Sequence, residues 1–198
     1  MVRALDPDDA GRCLAKVRAE LAGADAGLPI AAQDAWAGDL FPAVAIVKGE
    51  PGPAEQAGGS VLSGADGEAV TKALAALGID EGGTWRTLSR PVPGLTPAVI
   101  AARLRQQLAA VDPSVVIALD ATAALDTAAA LAVDLPPFGV PVATAGLILL
   151  ALDGFEESLG DERRKREIWR QLRGLAGVPL YPESERDARR RPAGPALF

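Results

Sequence analysis

The 198-residue sequence contains no histidine and a single cysteine, Cys13. The lack of histidine excludes a Ser–His–Asp triad and every histidine-ligated zinc site. One cysteine cannot close an intrachain disulfide, and it cannot hold an iron–sulfur cluster or a structural zinc. Cys13 reads as a small hydrophobe on a helix rather than as a nucleophile. Aromatic residues are scarce, at 4%, although hydrophobic residues reach 49%. The core is therefore expected to be built from Ala, Val, Leu and Ile, and disorder over most of the chain is not expected. Long apolar runs are missing as well. The most apolar stretch, Pro141–Leu152, is interrupted by Gly146 and is too short to cross a bilayer. The opening residues, MVRALDPDDAGR, have no signal-peptide stretch. A soluble cytoplasmic protein without membrane contact is the expectation.

The net charge is −6, which opposes bulk electrostatic binding to nucleic acid. The charge is unevenly placed, because residues 161–198 hold 10 of the 20 Lys and Arg against 6 acids. A basic end on an acidic body reads in two ways. It is a solvated helix face with a loose tail, or it is a surface that directs DNA or an acidic protein partner to one side.

The length suits one domain and not two. The spacing predicts a helix over 7–22, capped by Asp6 or Asp8, and a loop over 23–42. Ala43–Val47 reads as a buried strand, followed by a Gly- and Ser-containing loop and a helix over Gly67–Leu77. A second strand, Thr84–Ser89, is closed by Pro91 and Pro93. The helix over 96–111 opens with Thr96 as cap and Pro97 at its first position. Ser114–Leu119 is a third strand, followed by a helix beginning near Ala121. Val140–Thr144 is a fourth strand, and Asp161–Leu175 is a charged helix. Continuous apolar strands alternating with helices imply a three-layer α/β/α domain around a four-stranded parallel sheet. The domain is expected over 1–177, with a loose basic tail over 178–198. A ligand crevice is expected beyond the strands' carboxyl ends, where loops start at Lys48, Ser89, Asp120 and Thr144.

The loop Lys48–Gly59 has the glycines that let backbone approach a ligand, but it is neither a P-loop nor a GxGxxG turn. Four segments in collinear order carry a further resemblance. These are VKGEPGPAE followed by GGSVLSGADG, a helix ending LAALGID, LRQQLAAVDPSVVIALDATA, and TAGLILL followed by RRKREIWRQL. Their order and spacing over roughly residues 43–176 resemble the uracil-DNA glycosylase superfamily, in particular the bacterial and archaeal group that carries an iron–sulfur cluster. That group has V-G-E-A-P-G-x-x-E, G-x-P-F-x-G-x-x-G, V-A-L-G and T-x-H-P-x-x-L-L at these places. The resemblance implies the glycosylase fold, with the first and third strands as central neighbours. It also implies an enzyme that flips a damaged base into a pocket and activates water against the sugar.

The departures fall on the positions that do this chemistry. Gly49 stands at the family's glutamate, and Glu50 takes its role only if the loop shifts by one residue. Glu55 matches the second glutamate. The stacking Phe becomes Val61, the base-reading Asn becomes Leu88 next to Thr87, and the His becomes Gly146. Asp120 replaces a glycine, and the cluster cysteines are absent. The family-equivalent pocket positions are thus Gly49, Gly52, Val61, Leu88, Ser89 and Gly146. The acids Glu50, Glu55 and Asp120 remain as catalytic candidates, each with a plain alternative: solvated carboxylates for the first two and a helix cap for Asp120. Trp85 and Trp169 read as packing residues. Arg163, Arg164, Lys165 and Arg166 are the nucleic-acid contact candidates or a charged helix face. The expectation is a divergent glycosylase-like protein without uracil excision, with no metal and no cofactor. The alternatives are a nucleobase-processing hydrolase that uses Glu50, Glu55 or Asp120, and an interaction module on the same fold.

Overall fold

Strands that are apolar along their whole length are stable only in a sheet covered on both faces. The structure, a computed structural model, describes residues 7–30 and 35–178 and is built around a sheet of six strands whose central members are such strands or nearly so. They are β1 (Trp36–Gly38), β2 (Val44–Lys48), β3 (Thr84–Leu88), β4 (Val115–Ala118), β5 (Val142–Thr144) and β6 (Leu147–Ala151). The six form one sheet in the order β1-β3-β2-β4-β6-β5. β3, β2, β4 and β6 pair in parallel, and β1 and β5 are antiparallel at the two edges. Every position of β2, β3 and β4 is buried.

The helices are α1 (Pro7–Ala24), α2 (Pro53–Gln56), α3 (Ala65–Ala76), α4 (Pro97–Val111), α5 (Ala121–Leu131) and α6 (Glu162–Leu172). Strand residues alternate between two cores. Val44, Ile46, Val115, Ile117 and Leu150 meet Val70 and Leu74 of α3 and Ile168 and Leu172 of α6. Ala45, Val47, Val116, Ala118 and Leu149 meet Val17 and Leu21 of α1, Leu104 and Leu108 of α4, and Ala123 and Ala124 of α5. The small Ala side chains of β2, β4 and α5 let α5 sit close to the sheet. Trp85 is fully buried in this second core, and Trp169 is half-buried against the first. Cys13 is exposed on α1.

The sheet corrects the four-stranded parallel expectation in three places. Val140–Thr144 does not supply the fourth parallel strand; β5 is an antiparallel edge, and β6 takes the parallel place beside β4. The cause is the two-residue turn at Ala145 and Gly146, whose φ values of 48° and 83° reverse the chain into a hairpin. This also corrects the crevice: the fourth loop at the carboxyl ends begins at Leu152, not Thr144. Finally, the expected loop over 23–42 contains β1, whose Gly38 has a φ of 105° and no room for a side chain beside Thr84 O. Asp6, one of the two expected caps of α1, lies outside the described residues, as does the expected tail from residue 179 onward.

The buried face of α4 carries Ile100, Arg103, Leu104, Gln107, Leu108 and Val111, which is helical spacing with two polar interruptions. Those interruptions have partners. Arg103 Nε donates to Asp25 Oδ1 at 2.6 Å, and Arg103 Nη1 donates to Leu88 O at 2.6 Å. Gln107 Nε2 donates to Asp25 Oδ1 at 3.1 Å, and Thr87 Oγ1 donates to Gln107 Oε1 at 3.1 Å. Burial pulls the Arg103 pKa below the ordinary value, and the charge of Asp25 opposes it. The network ties the chain just after α1 to α4 and to the carboxyl end of β3. Among the described residues no helix is long and apolar enough to cross a membrane.

Candidate functional site

The carboxyl end of β2 delivers Lys48 into the space above the sheet. Its side chain is 5% exposed, and so is that of Glu55, while Asp66 is 7% exposed. An ammonium so placed requires counter-charges. Lys48 Nζ lies 2.5 Å from Asp66 Oδ2, 2.9 Å from Glu156 Oε2 and 3.5 Å from Glu55 Oε2. Burial alone lowers the Lys48 pKa, but the bonds to Asp66 and Glu156 and the charges of Asp66 and Glu55 outweigh it. The net shift is upward, so Lys48 is a fixed cation and not a base or nucleophile.

Two of the three candidate carboxylates are held by backbone N–H groups. Glu55 Oε2 accepts from Gly52 N at 2.9 Å and Oε1 from Leu62 N at 2.8 Å. The first bond is half of a capping box at the start of α2. A Cβ at Gly52 would stand 2.5 Å from Lys48 Nζ, so a side chain there would push the ammonium aside. Asp120 caps α5: Oδ1 accepts from Ala123 N at 2.8 Å, while Oδ2 accepts from Gly49 N at 2.8 Å. Asp120 thus pins the β2 loop to α5. Glu50 is 68% exposed and faces Arg90 Nη1 at 3.9 Å.

A cleft of about 290 Å³ opens here, lined by acids Glu50, Asp66, Asp120, Glu156 and Glu157 and by Lys48, Leu119 and Phe155. Its acids outnumber its single lysine, so it repels a phosphate backbone. Val61 and Leu88 do not line it; both are buried in the first core. Ser89 is buried, and its hydroxyl donates to Asp126 Oδ2 at 2.7 Å. Gly146 is not in this region at all. It precedes β6 and lies at the amino ends of the parallel strands, opposite the cleft, which corrects its placement among the pocket positions. Arg163, Arg164, Lys165 and Arg166 are exposed on α6. Lys165 pairs with Glu162 at 2.7 Å, and Arg164 reaches Asp153 O at 3.5 Å.

Sequence reasoning missed Lys48, Asp66, Phe155, Glu156, Arg90 and Asp126. Lys48 had one signal: it directly follows the apolar run Ala43–Val47, where a strand's last residue is still enclosed. The others are brought in by partners far away in sequence. Among the described residues no group of three or more His, Cys, Asp or Glu is arranged to hold a metal. No protein-family model matches the chain, and no curated protein sequence matches it.

Proposed function

We propose that the protein is a divergent, glycosylase-like module that has lost uracil excision and docks DNA weakly through the outer face of α6. The observation that carries this reading is the fate of the reactive loop. Each Glu55 oxygen and each Asp120 oxygen already accepts from a backbone N–H, so both carboxylates are committed to holding the loop. Base recognition fares no better. Val61 and Leu88 stand where a ring and an amide would be needed, and both are core residues. The position that resembles the family's histidine is Gly146, at the opposite end of the sheet from the cleft. The sequence has no imidazole to take that role. DNA contact falls to α6 because the cleft is acidic, while Arg163 and Arg166 are exposed one turn apart.

Each lost contact of this kind costs about 10²–10³ in rate, and two or three together remove most of the acceleration without adding strictly. Single-turnover assays with excess protein on uracil-containing single- and double-stranded DNA are expected to give no excision above buffer. The same duplex is expected to bind weakly at low salt, with affinity falling steeply as salt rises. An Arg163→Ala/Arg166→Ala double variant should flatten the log–log salt slope by about 1.8. Excision at rates typical of active glycosylases, or a salt slope that the double variant leaves unchanged, would overturn the reading.

A further inference from the structure

A second cleft, of about 420 Å³, lies on the other side of Glu50 and Pro51, between the β2 loop and the loop after β3. Its walls are Pro51, Val92, Pro93, Leu95 and Ile100, and its polar groups are Glu50, Gln56 and Arg90. Apolar walls with a few fixed polar groups, at this volume, suit a small organic ligand. We propose that this cleft binds a zwitterionic α-amino acid with a large apolar side chain, its carboxylate on Arg90 and its ammonium on Glu50.

The geometry of Arg90 is the first support. Its guanidinium is clamped edge-on by Asp126, with Nε at 2.9 Å from Oδ2 and Nη2 at 3.0 Å from Oδ1. Asp126 is held in turn by the Ser89 hydroxyl at 2.7 Å. The fork is therefore pre-organised, and a ligand need not order it. Nη1 makes only a long, exposed ion pair with Glu50 Oε1 at 3.9 Å, beyond hydrogen-bond length, so a ligand lying beside the pair can bond to both groups.

Charge decides between ligand classes. Asp126 already neutralises Arg90, and Glu50 adds one negative charge. A simple carboxylate would meet that excess charge. A simple amine would leave Nη1 unanswered. A zwitterion places an acceptor on Arg90 and a donor on Glu50 and adds no net charge. Its side chain then covers the apolar wall formed by Val92, Pro93, Leu95 and Ile100. Gln56 does not compete, since its Nε2 donates to Pro51 O at 2.9 Å. This inference concerns a different cleft from the one discussed above and does not depend on whether uracil is excised.

The test is an NMR titration of the ¹⁵N-labelled full chain with L-phenylalanine, 3-phenylpropanoate and 2-phenylethylamine. L-Phenylalanine is expected to shift the amides of Arg90, Val92, Leu95 and Ile100 saturably, and to bind at least about tenfold more tightly than either half-charged analogue. Glu50→Gln, at an exposed site where folding is not at risk, should weaken L-phenylalanine about tenfold and leave 3-phenylpropanoate unchanged or improved. Ile100→Trp should fill the cleft and abolish the shifts, with its fold checked from the remaining amide spectrum. No saturable shift with L-phenylalanine up to about 10 mM, or equal binding of the three probes, would overturn the proposal.

Discussion

Lys48→Met is expected to lower the unfolding free energy by about 3–5 kcal/mol, the usual cost of removing one partner from a buried charge cluster. Methionine keeps much of the aliphatic stem, so the loss is electrostatic and not a cavity effect. Asp66 and Glu55 would be left as neighbouring buried anions, each less than a tenth exposed. Glu156 contributes little to the figure, because its side chain is 42% exposed and water screens it. For a domain of this length the change corresponds to a melting temperature lower by about 6–20 °C. An additional Asp66→Asn change should recover part of the loss, because it removes one of the stranded anions. With the Asp66→Asn single variant added, the three variants make the cycle that isolates the pair. The pH dependence follows from the upward shift of Lys48. A lysine whose folded pKa lies above its unfolded value contributes fully below about pH 10.4 and loses that contribution as pH climbs through the folded value. The gap between wild type and Lys48→Met should therefore be flat from about pH 7 to pH 9. A loss under about 1 kcal/mol would mean that water screens the cluster and that Lys48 is released for other roles.

How much of this was legible depended on whether the deciding partner is near in sequence. The strands at Val44–Lys48 and Val115–Ala118 could be read because a buried parallel strand is apolar at every position, and turn residues bound each run. Thr96 and Asp120 could be read as helix caps because the bonds they accept come from three residues ahead. The β5–β6 hairpin was hidden because its turn, Ala145–Gly146, sits inside one apolar run and has none of the usual polar turn residues. β1 was hidden because three residues between glycines and prolines carry no periodic signal. The lysine cluster was invisible for a different reason. Lys48 and Asp66 are 18 positions apart, and only the fold of the β2 loop brings them together. Lys48 has only its place after an apolar run, and Asp66 alone reads as a solvated charge. Glu55 and the glycines of the β2 loop stand out in the sequence, and in the fold they hold the loop together.

Gly67→Ala should destabilise the protein by about 3 kcal/mol, although the same change within a helix ordinarily adds up to about 1 kcal/mol. Gly67 is buried in the first turn of α3, and a Cβ there would run into the carbonyl group of Leu62. Backbone cannot rotate aside as a side chain does, so the turn over residues 60–64 must move. That turn has little freedom. Leu62 already has a φ of 55°, and its N–H is held by Glu55 Oε1 at 2.8 Å. Moving it loosens Glu55, and displacing the first turn of α3 moves Asp66 away from Lys48. The effect therefore spreads into the charge cluster, which makes it larger than overpacking alone. Gly11→Ala in α1 provides the internal control. No atom lies within 4 Å of the Cβ it would gain. It should raise stability by about 0.5–1 kcal/mol through helix propensity. Urea unfolding of both variants would measure the contrast. Opposite signs are the expected outcome; if both changes stabilise, the 60–64 turn yields freely and does not hold the lysine cluster in place.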